Sequence, residues 1–403
     1  MSLIPVDEAL ARLLGDVERL RTEYVALPDA LGRVLAEPVT ALRTHPPFDA
    51  SAMDGYAVRA SDIATVPTVL TVIGESAAGR RFVGHVDDGQ AVRIFTGAPM
   101  PDGADTILIQ ENAERAGDMI TGMEVVAKGR HIRGAGLDFR RGEPLLEPGR
   151  RIDPAALALI AAADLTQVPV VRRPRVGIIA TGDELVEPGR LRTDDQIVAS
   201  NNFGIAGIVH EGGGEPVDFG IVPDDEFAIG ETLDRAMAGG CDIVVTLGGA
   251  SVGDHDLTAK VFAAKSIDLA FWKIAMRPGK PIMAGRRGDT RFLGLPGNPV
   301  SAMVCAHLFL RPLVARMLGT STTTNIWRAR LATPMTANEQ RQDYVRAIAR
   351  NVPDGIVVEP ISVQDSSMLK SLATANALIV RPPHAPAASE GDVCDIVVLR
   401  HIT

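Results

Sequence analysis

The stretch RVGIIATG at residues 175–182 opens a regular alternation of strands and helices, and this alternation decides the fold class. The apolar runs EPVDFGIV, DIVVTLGG and LAFWKIA continue it, with helices expected near residues 202–210, after Asp224 and after Asp256. Such alternation predicts an α/β domain with a doubly wound, mainly parallel sheet, which we assign to residues 174–322. Ligands of such sheets bind beyond the carboxyl ends of the strands.

The sequence on either side of this segment has a different pattern. Residues 6–20 carry apolar side chains at helical spacing, and Asp153 followed by Pro154 is typical of a helix start. Short Val-, Ile- and Thr-rich runs lie between them and again near the end of the chain. We therefore predict a multidomain α/β plus β protein, with a discontinuous helical domain (1–45 and 141–173), a β insertion (46–140) and a C-terminal β domain (323–403). Two separate small helical domains are the alternative to the discontinuous one.

Length and composition limit the classes of protein to consider. A chain of 403 residues with 46% apolar and 23% charged residues is expected to fold into about two to four domains. Its formal charge of -9 argues against general binding to nucleic acid or acidic membranes. The N-terminus has no basic segment, and no apolar run approaches the length of a membrane span, so we expect a cytoplasmic protein. The widely spaced Cys241, Cys305 and Cys394 have apolar neighbours and are expected to be buried structural thiols.

Two strand ends carry groups that could bind a ligand. Thr181-Gly182-Asp183-Glu184 follows the first strand, although capping or solvation of a turn would explain the carboxylates alone. The strand IVVTL is followed by the run from Gly248 to Asp256, GGASVGDHD. Its glycines allow backbone N–H groups to approach an anion, and its aspartates stand where a bridging Mg²⁺ would need them. Asp256 is equally suited to cap the next helix.

Further candidate residues lie outside these strand ends. Lys273, Arg277 and Lys280 place three cations within eight residues beside glycine and proline, which favours an anion site, although a charged sheet edge is as good an explanation. In the β insertion, Asp54 and Thr96 lie in turns stiffened by small residues and proline. The scattered histidines, including His45, His131 and His255, are not assigned to a metal.

The ordered segments resemble the molybdopterin molybdenumtransferase family, which includes the C-terminal domain of gephyrin. The resemblance spans nearly the whole chain and rests on PPFDASAMDGYAV, TGAPMPDGADTILIQEN, GIIATGDEL, GIVPDD, GGASVGDHD, FWKIAMRPGKP and LPGNPVSA. Each segment is a weak signal alone, but their co-occurrence in this order is specific.

The resemblance implies a set of site residues. Those with catalytic roles are Asp54, Thr96, Asp138, Glu184 and Asp256. The cofactor-binding positions that it implies are Asp224, Lys273, Arg277, Lys280, Arg346 and Ser366. The strand-end pattern itself adds Thr181, Gly182, Gly248, Gly249, Ser251 and Gly253 to the cofactor-binding candidates. Mg²⁺ would be held by Asp54, Glu184, Asp254 and Asp256. Arg277 stands where relatives often carry lysine, and Asp254 where glutamate is common.

The implied reaction inserts molybdenum from molybdate into adenylylated molybdopterin, with Mg²⁺ as cofactor and release of AMP. The resemblance also implies a homodimer whose active cleft lies between the α/β domain of one subunit and the β insertion of the other. A molybdopterin adenylyltransferase and molybdoenzyme maturation proteins are the expected partners. The alternatives are a non-catalytic scaffold of the gephyrin type, which would bind partners without releasing AMP, and an adenylyltransferase, which would consume ATP. A nicotinamide-dependent oxidoreductase is disfavoured because the glycine fingerprint is missing.

Overall fold

The computed structural model describes residues 3–249, 257–322 and 325–403. The chain forms two compact units. The first unit comprises Met1–Glu23, Gly32–Val34 and Val171–Thr403, and the second comprises Tyr24–Leu31 and Leu35–Val170. The finer division into four domains stays a prediction.

The first unit contains the predicted α/β sheet. Its six strands run in the order Glu215–Val222, Arg175–Thr181, Ile243–Leu247, Thr290–Leu295, Met283–Arg287 and Asp268–Trp272. The first four are parallel, and the last two are antiparallel to their neighbours. The expected mainly parallel, doubly wound sheet is therefore confirmed, and the LAFWKIA segment provides its antiparallel edge. A short parallel pair, Leu185–Val186 and Ile197–Val198, follows the first strand.

Helices cover both faces of this sheet. They span Asn201–Gly212, Glu226–Ala238, Leu257–Ala264 and the continuous segment Pro299–Leu318, which contains a π-helical turn at Ala306–Leu310. The helix after Asp224 begins because the Asp225 side chain accepts a hydrogen bond from the Ala228 N–H at 2.8 Å. Ile179, Val244, Phe262 and Phe292 form the centre of the core between sheet and helices.

One of these helices corrects an expectation from the sequence. Pro299–Leu318 is long and apolar enough to cross a membrane, with a mean hydropathy of 1.3. The sequence was therefore wrongly expected to contain no apolar run of that length. Because 78% of the apolar window is buried inside the protein, we interpret this segment as a core helix.

The N-terminal helix is shorter than its apolar spacing predicts. It spans Val6–Leu14 and ends at Gly15, whereas the apolar pattern continues to residue 20. Glycine has low helix propensity, and Val17 is buried from the irregular segment that follows. Because buried residues after Gly15 continue the helical spacing of apolar side chains, the sequence pattern predicts a longer helix than the structure contains.

The last part of the first unit is the expected β domain. Its strands run in the order Met276–Arg277, Gln342–Val352, Gly355–Pro360, Ile326–Leu331, Val393–Val398 and Ala377–Arg381. Gln342–Val352 also pairs with Ala377–Arg381, so the sheet closes on itself like a barrel. A short helix, Leu369–Thr374, precedes the latter strand. The parallel pairing of Met276 with Gln342 and of Arg277 with Asp343 joins the barrel to the segment that follows the α/β edge strand.

The second unit is built around a six-stranded sheet. Its order is Thr106–Ile109, Gly55–Val58, Gln90–Ile94, Thr68–Ser76, Met119–Gly122 and Ala113–Ala116. Successive residues of a strand face opposite sides, so Tyr56 and Val58 pack in one core cluster and Ala57 in the other. The smaller strands are Val39–Thr40 with Pro144–Leu146, and Ala50–Ser51 with Ile132–Arg133.

The remaining elements complete the second unit and its boundary. The helix Pro154–Ala162 begins as predicted, because the Asp153 side chain accepts from the Ala156 N–H at 2.7 Å. The short 3-10 helices are Leu27–Asp29 and Gln110–Asn112, and the strands Thr22–Ala26 and Gln167–Val171 lie at the division between the units. The helices at Val6 and at Pro154, which the sequence assigned to one discontinuous domain, thus belong to different compact units.

Candidate functional site

A cavity of about 790 Å³ lies at the carboxyl ends of the parallel strands, where the fold is expected to bind ligands. We call it the strand-end cavity. Its lining includes five predicted site residues, Thr181, Glu184, Asp224, Gly248 and Gly249. The predicted residue Gly182 lies between two of them in sequence.

Glycine is required where the strands leave the sheet. Gly248 has a φ of +107°, and a Cβ there would lie 2.4 Å from the Thr181 carbonyl oxygen. Gly182 has a φ of +150°, and its Cβ would lie 2.4 Å from Glu184 Oε2. The buried Thr181 hydroxyl donates to the Leu247 carbonyl at 3.4 Å and so links the ends of the two strands. A side chain at either glycine would therefore displace the cavity wall.

Three carboxylates lie close together at this cavity. Asp183 Oδ1 accepts a hydrogen bond from the Asp224 N–H at 3.2 Å. Partial burial and the like charges of Asp183 and Glu184 raise the pKa of Asp224. The rim of the cavity therefore carries negative charge. Within the described part of the chain, no cationic side chain offsets this charge at Asp224.

Three asparagines that we did not predict belong to the cavity wall. Asn201 Nδ2 donates to the Gly297 carbonyl at 2.8 Å, and Asn202 Nδ2 donates to Asp218 at 3.2 Å. The Oδ1 atoms of both are buried and have no hydrogen-bond partner among the described residues. Asn298, from the LPGNP segment, also lines the cavity. The LPGNP segment contributed to the family resemblance, but Asn298 was not predicted to be a site residue.

A second cavity, of about 990 Å³, lies beside the barrel. We call it the arginine cavity. It brings together four predicted residues from distant parts of the chain, Arg277, Lys280, Arg346 and Ser366. Pro281 and Ser301 line both cavities, so the two adjoin. Asn298 Nδ2 also donates to Ser366 Oγ at 3.1 Å and connects their walls.

Arg346 is the most unusual side chain of the arginine cavity, because it is only 1% exposed. Its guanidinium donates to the carbonyls of Asp365 at 2.9 Å and Val363 at 3.2 Å, and its Nε has no partner among the described residues. Burial lowers the pKa of Arg346, while the nearby charge of Asp365 opposes that effect. The direct partners of Arg346 are carbonyls, and Asp365 offsets its positive charge only in part, which favours an anionic ligand.

The two neighbouring cations of this cavity differ in their partners. Arg277 donates to both carboxylate oxygens of Asp343, with Nε at 3.0 Å from each, and lies 3.7 Å from Glu339. Asp343 holds the pKa of Arg277 above its usual value. For Lys280, no ion pair occurs within the described ranges. Lys280 is therefore available to bind an anion, whereas Arg277 is already bound to Asp343.

Lys273 lines neither cavity. Its backbone has a φ of +65°, and its Nζ lies 4.2 Å from the centroid of the Trp272 ring. This cation–π contact gives the ammonium group a local partner. Its predicted role in cofactor binding stays a prediction.

In the second unit, the structure brings Asp54 and Thr96 together. Asp54 Oδ1 accepts from the Thr96 N–H at 2.7 Å and from its hydroxyl at 2.9 Å. These two hydrogen bonds and the charge of Arg93 hold the pKa of Asp54 below its usual value. Asp54 is therefore a fixed, ionised carboxylate at neutral pH.

Asp138 is exposed on a separate loop, where its N–H donates to the His45 carbonyl at 3.1 Å.

The last predicted residues are four in the glycine-rich segment after Gly249 and the three cysteines. Ser251, Gly253, Asp254 and Asp256 lie outside the described residues. Among the residues that are described, no group of three His, Cys, Asp or Glu side chains is arranged to hold a metal ion. The thiols Cys241 and Cys305 are buried as expected, but Cys394 is only half-buried.

The chain is thus a multidomain α/β plus β protein in which a cavity at the strand ends adjoins a second, arginine-containing cavity beside the β barrel. Three family models match the chain in succession: the MoeA N-terminal region (domain I and II) at residues 4–163, the probable molybdopterin binding domain at 177–316, and the MoeA C-terminal region (domain IV) at 328–399.

Individual relatives agree with these models. The molybdopterin molybdenumtransferase of Haemophilus influenzae is 34% identical, over 99% of this chain and all of the relative, and that of a Nostoc species is 35% identical, over 94% and 88%. The solved structure of the molybdopterin biosynthesis moeA protein from Pyrococcus horikoshii is 32% identical, with a TM-score of 0.83 over 98% of this chain and 100% of that one. The chain therefore belongs to the molybdopterin molybdenumtransferase family, and the resemblance seen in the sequence is confirmed.

Proposed function

We propose that this chain transfers molybdenum from molybdate to adenylylated molybdopterin and releases AMP. The observation that carries the proposal is the pair of adjoining cavities, one lined by glycines and carboxylates and the other by cations. A reaction between a large phosphate-containing pterin and a small oxyanion needs two such neighbouring sites. The names of the full-length relatives support the same activity.

The strand-end cavity is the proposed site of the adenylylated pterin. Gly248 and Gly249 keep the end of the strand free of side chains, and the Gly248 N–H is already bonded to the Leu295 carbonyl at 3.2 Å, so the Gly249 N–H is the one proposed to meet a phosphate. Asn201 and Asn202 provide buried acceptor atoms at the wall. A cavity of about 790 Å³ is in the usual size range for a small-molecule site. The predicted Ser251 and Gly253 would extend the same glycine-rich segment.

The arginine cavity is the proposed site of molybdate. This ligand is a small dianion, and Arg346 and Lys280 supply positive charge without a carboxylate partner among the described residues. Ser366 lies on the wall that Asn298 connects to the strand-end cavity, so its hydroxyl is placed to contact an anion near the pterin. Arg277 contributes indirectly, by holding Asp343 and the start of the barrel.

The carboxylates at the strand-end cavity suit Mg²⁺. Their mutual repulsion, which raises the pKa of Asp224, is relieved when a divalent cation binds, and carboxylate oxygen is the ligand that Mg²⁺ prefers. We propose that Glu184, Asp254, Asp256 and Asp54 hold the ion. When bound, Mg²⁺ would neutralise phosphate charge and polarise the bond to the AMP group. The chain's own carboxylates would accept or return protons as molybdate loses oxygen.

The assembly proposed for this activity is a homodimer whose active cleft combines the α/β domain of one subunit with the β insertion of the other. In that arrangement Asp54, Thr96 and Asp138 would act on a ligand bound by the partner. A molybdopterin adenylyltransferase would supply the substrate, molybdoenzyme maturation proteins would accept the product, and the site of action would be the cytoplasm.

The decisive experiment adds molybdate and Mg²⁺ to the purified protein loaded with adenylylated molybdopterin and measures AMP. We expect AMP to appear only when molybdate is present. ATP consumption in place of AMP release would indicate an adenylyltransferase, and tight protein binding without AMP release would indicate a scaffold. Either result would overturn the proposal. A matched reaction with the Lys280→Met variant tests whether release depends on the arginine cavity.

A further inference from the structure

Arg93 is a charged residue that the sequence patterns did not single out. It lies in the strand Gln90–Ile94, directly across from Tyr56 of the neighbouring strand. Its Nη1 donates to the Gly55 carbonyl at 3.1 Å, and its Nη2 donates to Gln110 Oε1 at 2.6 Å. The guanidinium carbon is 5.0 Å from the centroid of the Tyr56 ring and 4.9 Å from that of Phe95.

These contacts lie next to both members of the Asp54–Thr96 pair. Gly55 and Tyr56 follow Asp54 in the chain, and Phe95 precedes Thr96. A planar guanidinium that contacts two rings and two hydrogen-bond acceptors has few alternative conformations. The Arg93 side chain therefore holds both the backbone that follows Asp54 and the residue that precedes Thr96.

We propose that Arg93 is a positioning residue, which holds Gly55 and Phe95 in place so that Thr96 meets Asp54 and keeps that carboxylate in its reactive geometry. The inference rests on the proposed function of Asp54 for its effect on the reaction. The positioning itself can be measured without substrate, so a failure of one is distinguishable from a failure of the other.

The close surroundings of Asp54 make this test clean. The groups that act on the carboxyl are the two Thr96 donors and the charge of Arg93. The other ionisable groups in this set of contacts, among the described residues, are the Tyr56 phenol and Glu111, which accepts from Gln110 Nε2 at 3.3 Å. All of these residues belong to the second unit.

The experiment compares Arg93→Met and Arg93→Lys with Arg115→Met. Arg115 is a suitable control because it is exposed in the same sheet and its Nε donates to the Gly117 carbonyl at 3.0 Å. Hydrogen exchange at the Thr96 amide, which donates to Asp54 Oδ1 at 2.7 Å, is measured without substrate. In Arg93→Met we expect exchange to be about tenfold faster, as for weakening of a charge-assisted hydrogen bond.

Arg93→Lys keeps the positive charge but loses the planar guanidinium that donates to two acceptors. Its rate of Thr96 exchange should therefore lie between those of wild type and Arg93→Met. If Arg93→Met does not fold, Gln110→Ala removes one anchor of the guanidinium and is expected to accelerate Thr96 exchange less strongly. In the loaded enzyme, Arg93→Met should lower the rate of AMP release about tenfold, and Arg93→Lys should restore part of that rate. Thr96 exchange identical to that of Arg115→Met would overturn the positioning role. Changed values with normal AMP release would support it and overturn the proposed role of Asp54.

Discussion

The strand-end cavity of the first unit groups like charges, whereas the Asp54 site of the second unit groups opposite ones. Asp183, Glu184 and Asp224 adjoin one another, and Arg346 is buried with carbonyl partners, so the pKa of Asp224 is raised and that of Arg346 is lowered. Asp54, in contrast, has two donors and a nearby arginine, and its pKa is lowered. Uncompensated charge is stabilised when a ligand of opposite charge binds, whereas a compensated carboxylate is ready before any ligand arrives. The first unit therefore has the electrostatics of a binding site and the second those of a preorganised reactive group.

The largest effect is expected at Asp54. Asn at this position can still accept both hydrogen bonds from Thr96, so Asp54→Asn should fold normally. It cannot carry the negative charge, and loss of a catalytic acid or base lowers a rate by roughly a hundredfold or more. Molybdate-dependent AMP release should fall accordingly, with thermal unfolding unchanged. Wild-type turnover in this variant would remove Asp54 from the mechanism.

The next largest effect concerns the ion pair of the arginine cavity. Asp343 is 7% exposed and binds Arg277 through both oxygens. Asp343→Asn should lower the free energy of unfolding by about 2 kcal/mol, less than for a fully buried pair because Arg277 is half-exposed. Urea unfolding measures this change. Arg328→Met is the matched control, since its pair with Asp395 is on the surface and should contribute less than about 1 kcal/mol.

A smaller effect distinguishes the two neighbouring cations of that cavity. Lys280→Met should weaken molybdate binding about tenfold, as for loss of one charged hydrogen bond, while stability changes little. Arg277→Met should lower stability and leave molybdate affinity almost unchanged, because Arg277 is already engaged by Asp343. Isothermal titration with molybdate and urea unfolding of both variants give the two comparisons. Equal losses of affinity would show that the ion pair opens to bind the anion.

These contrasts show how far the sequence predicts the site. It predicted the α/β sheet, because strand and helix alternate in local patterns, and it predicted some of the groups that line each cavity, although not the asparagines. It could not show that Arg277 is paired, since Asp343 lies 66 residues away and is brought near only by the barrel. Nor did it indicate Arg93, whose role depends on contacts with four residues of three segments. The end of the first helix was missed because a buried irregular segment continues the apolar spacing.

The smallest predicted effect tests the raised pKa of Asp224. A carboxyl whose pKa is higher in the folded than in the unfolded state favours folding when protonated, and that stability is lost as pH rises from the unfolded pKa through the folded one. At neutral pH the ionised Asp224 therefore opposes folding slightly. Asp224→Asn should raise the free energy of unfolding at pH 7 by a few tenths of a kcal/mol, since solvent screens charges at this rim, and should give no gain at pH 3. Glu226→Gln, at an exposed position two residues away, is the control. Because Mg²⁺ would relieve the same repulsion, adding it should reduce the difference between wild type and Asp224→Asn, and a difference independent of both pH and Mg²⁺ would contradict the electrostatic explanation.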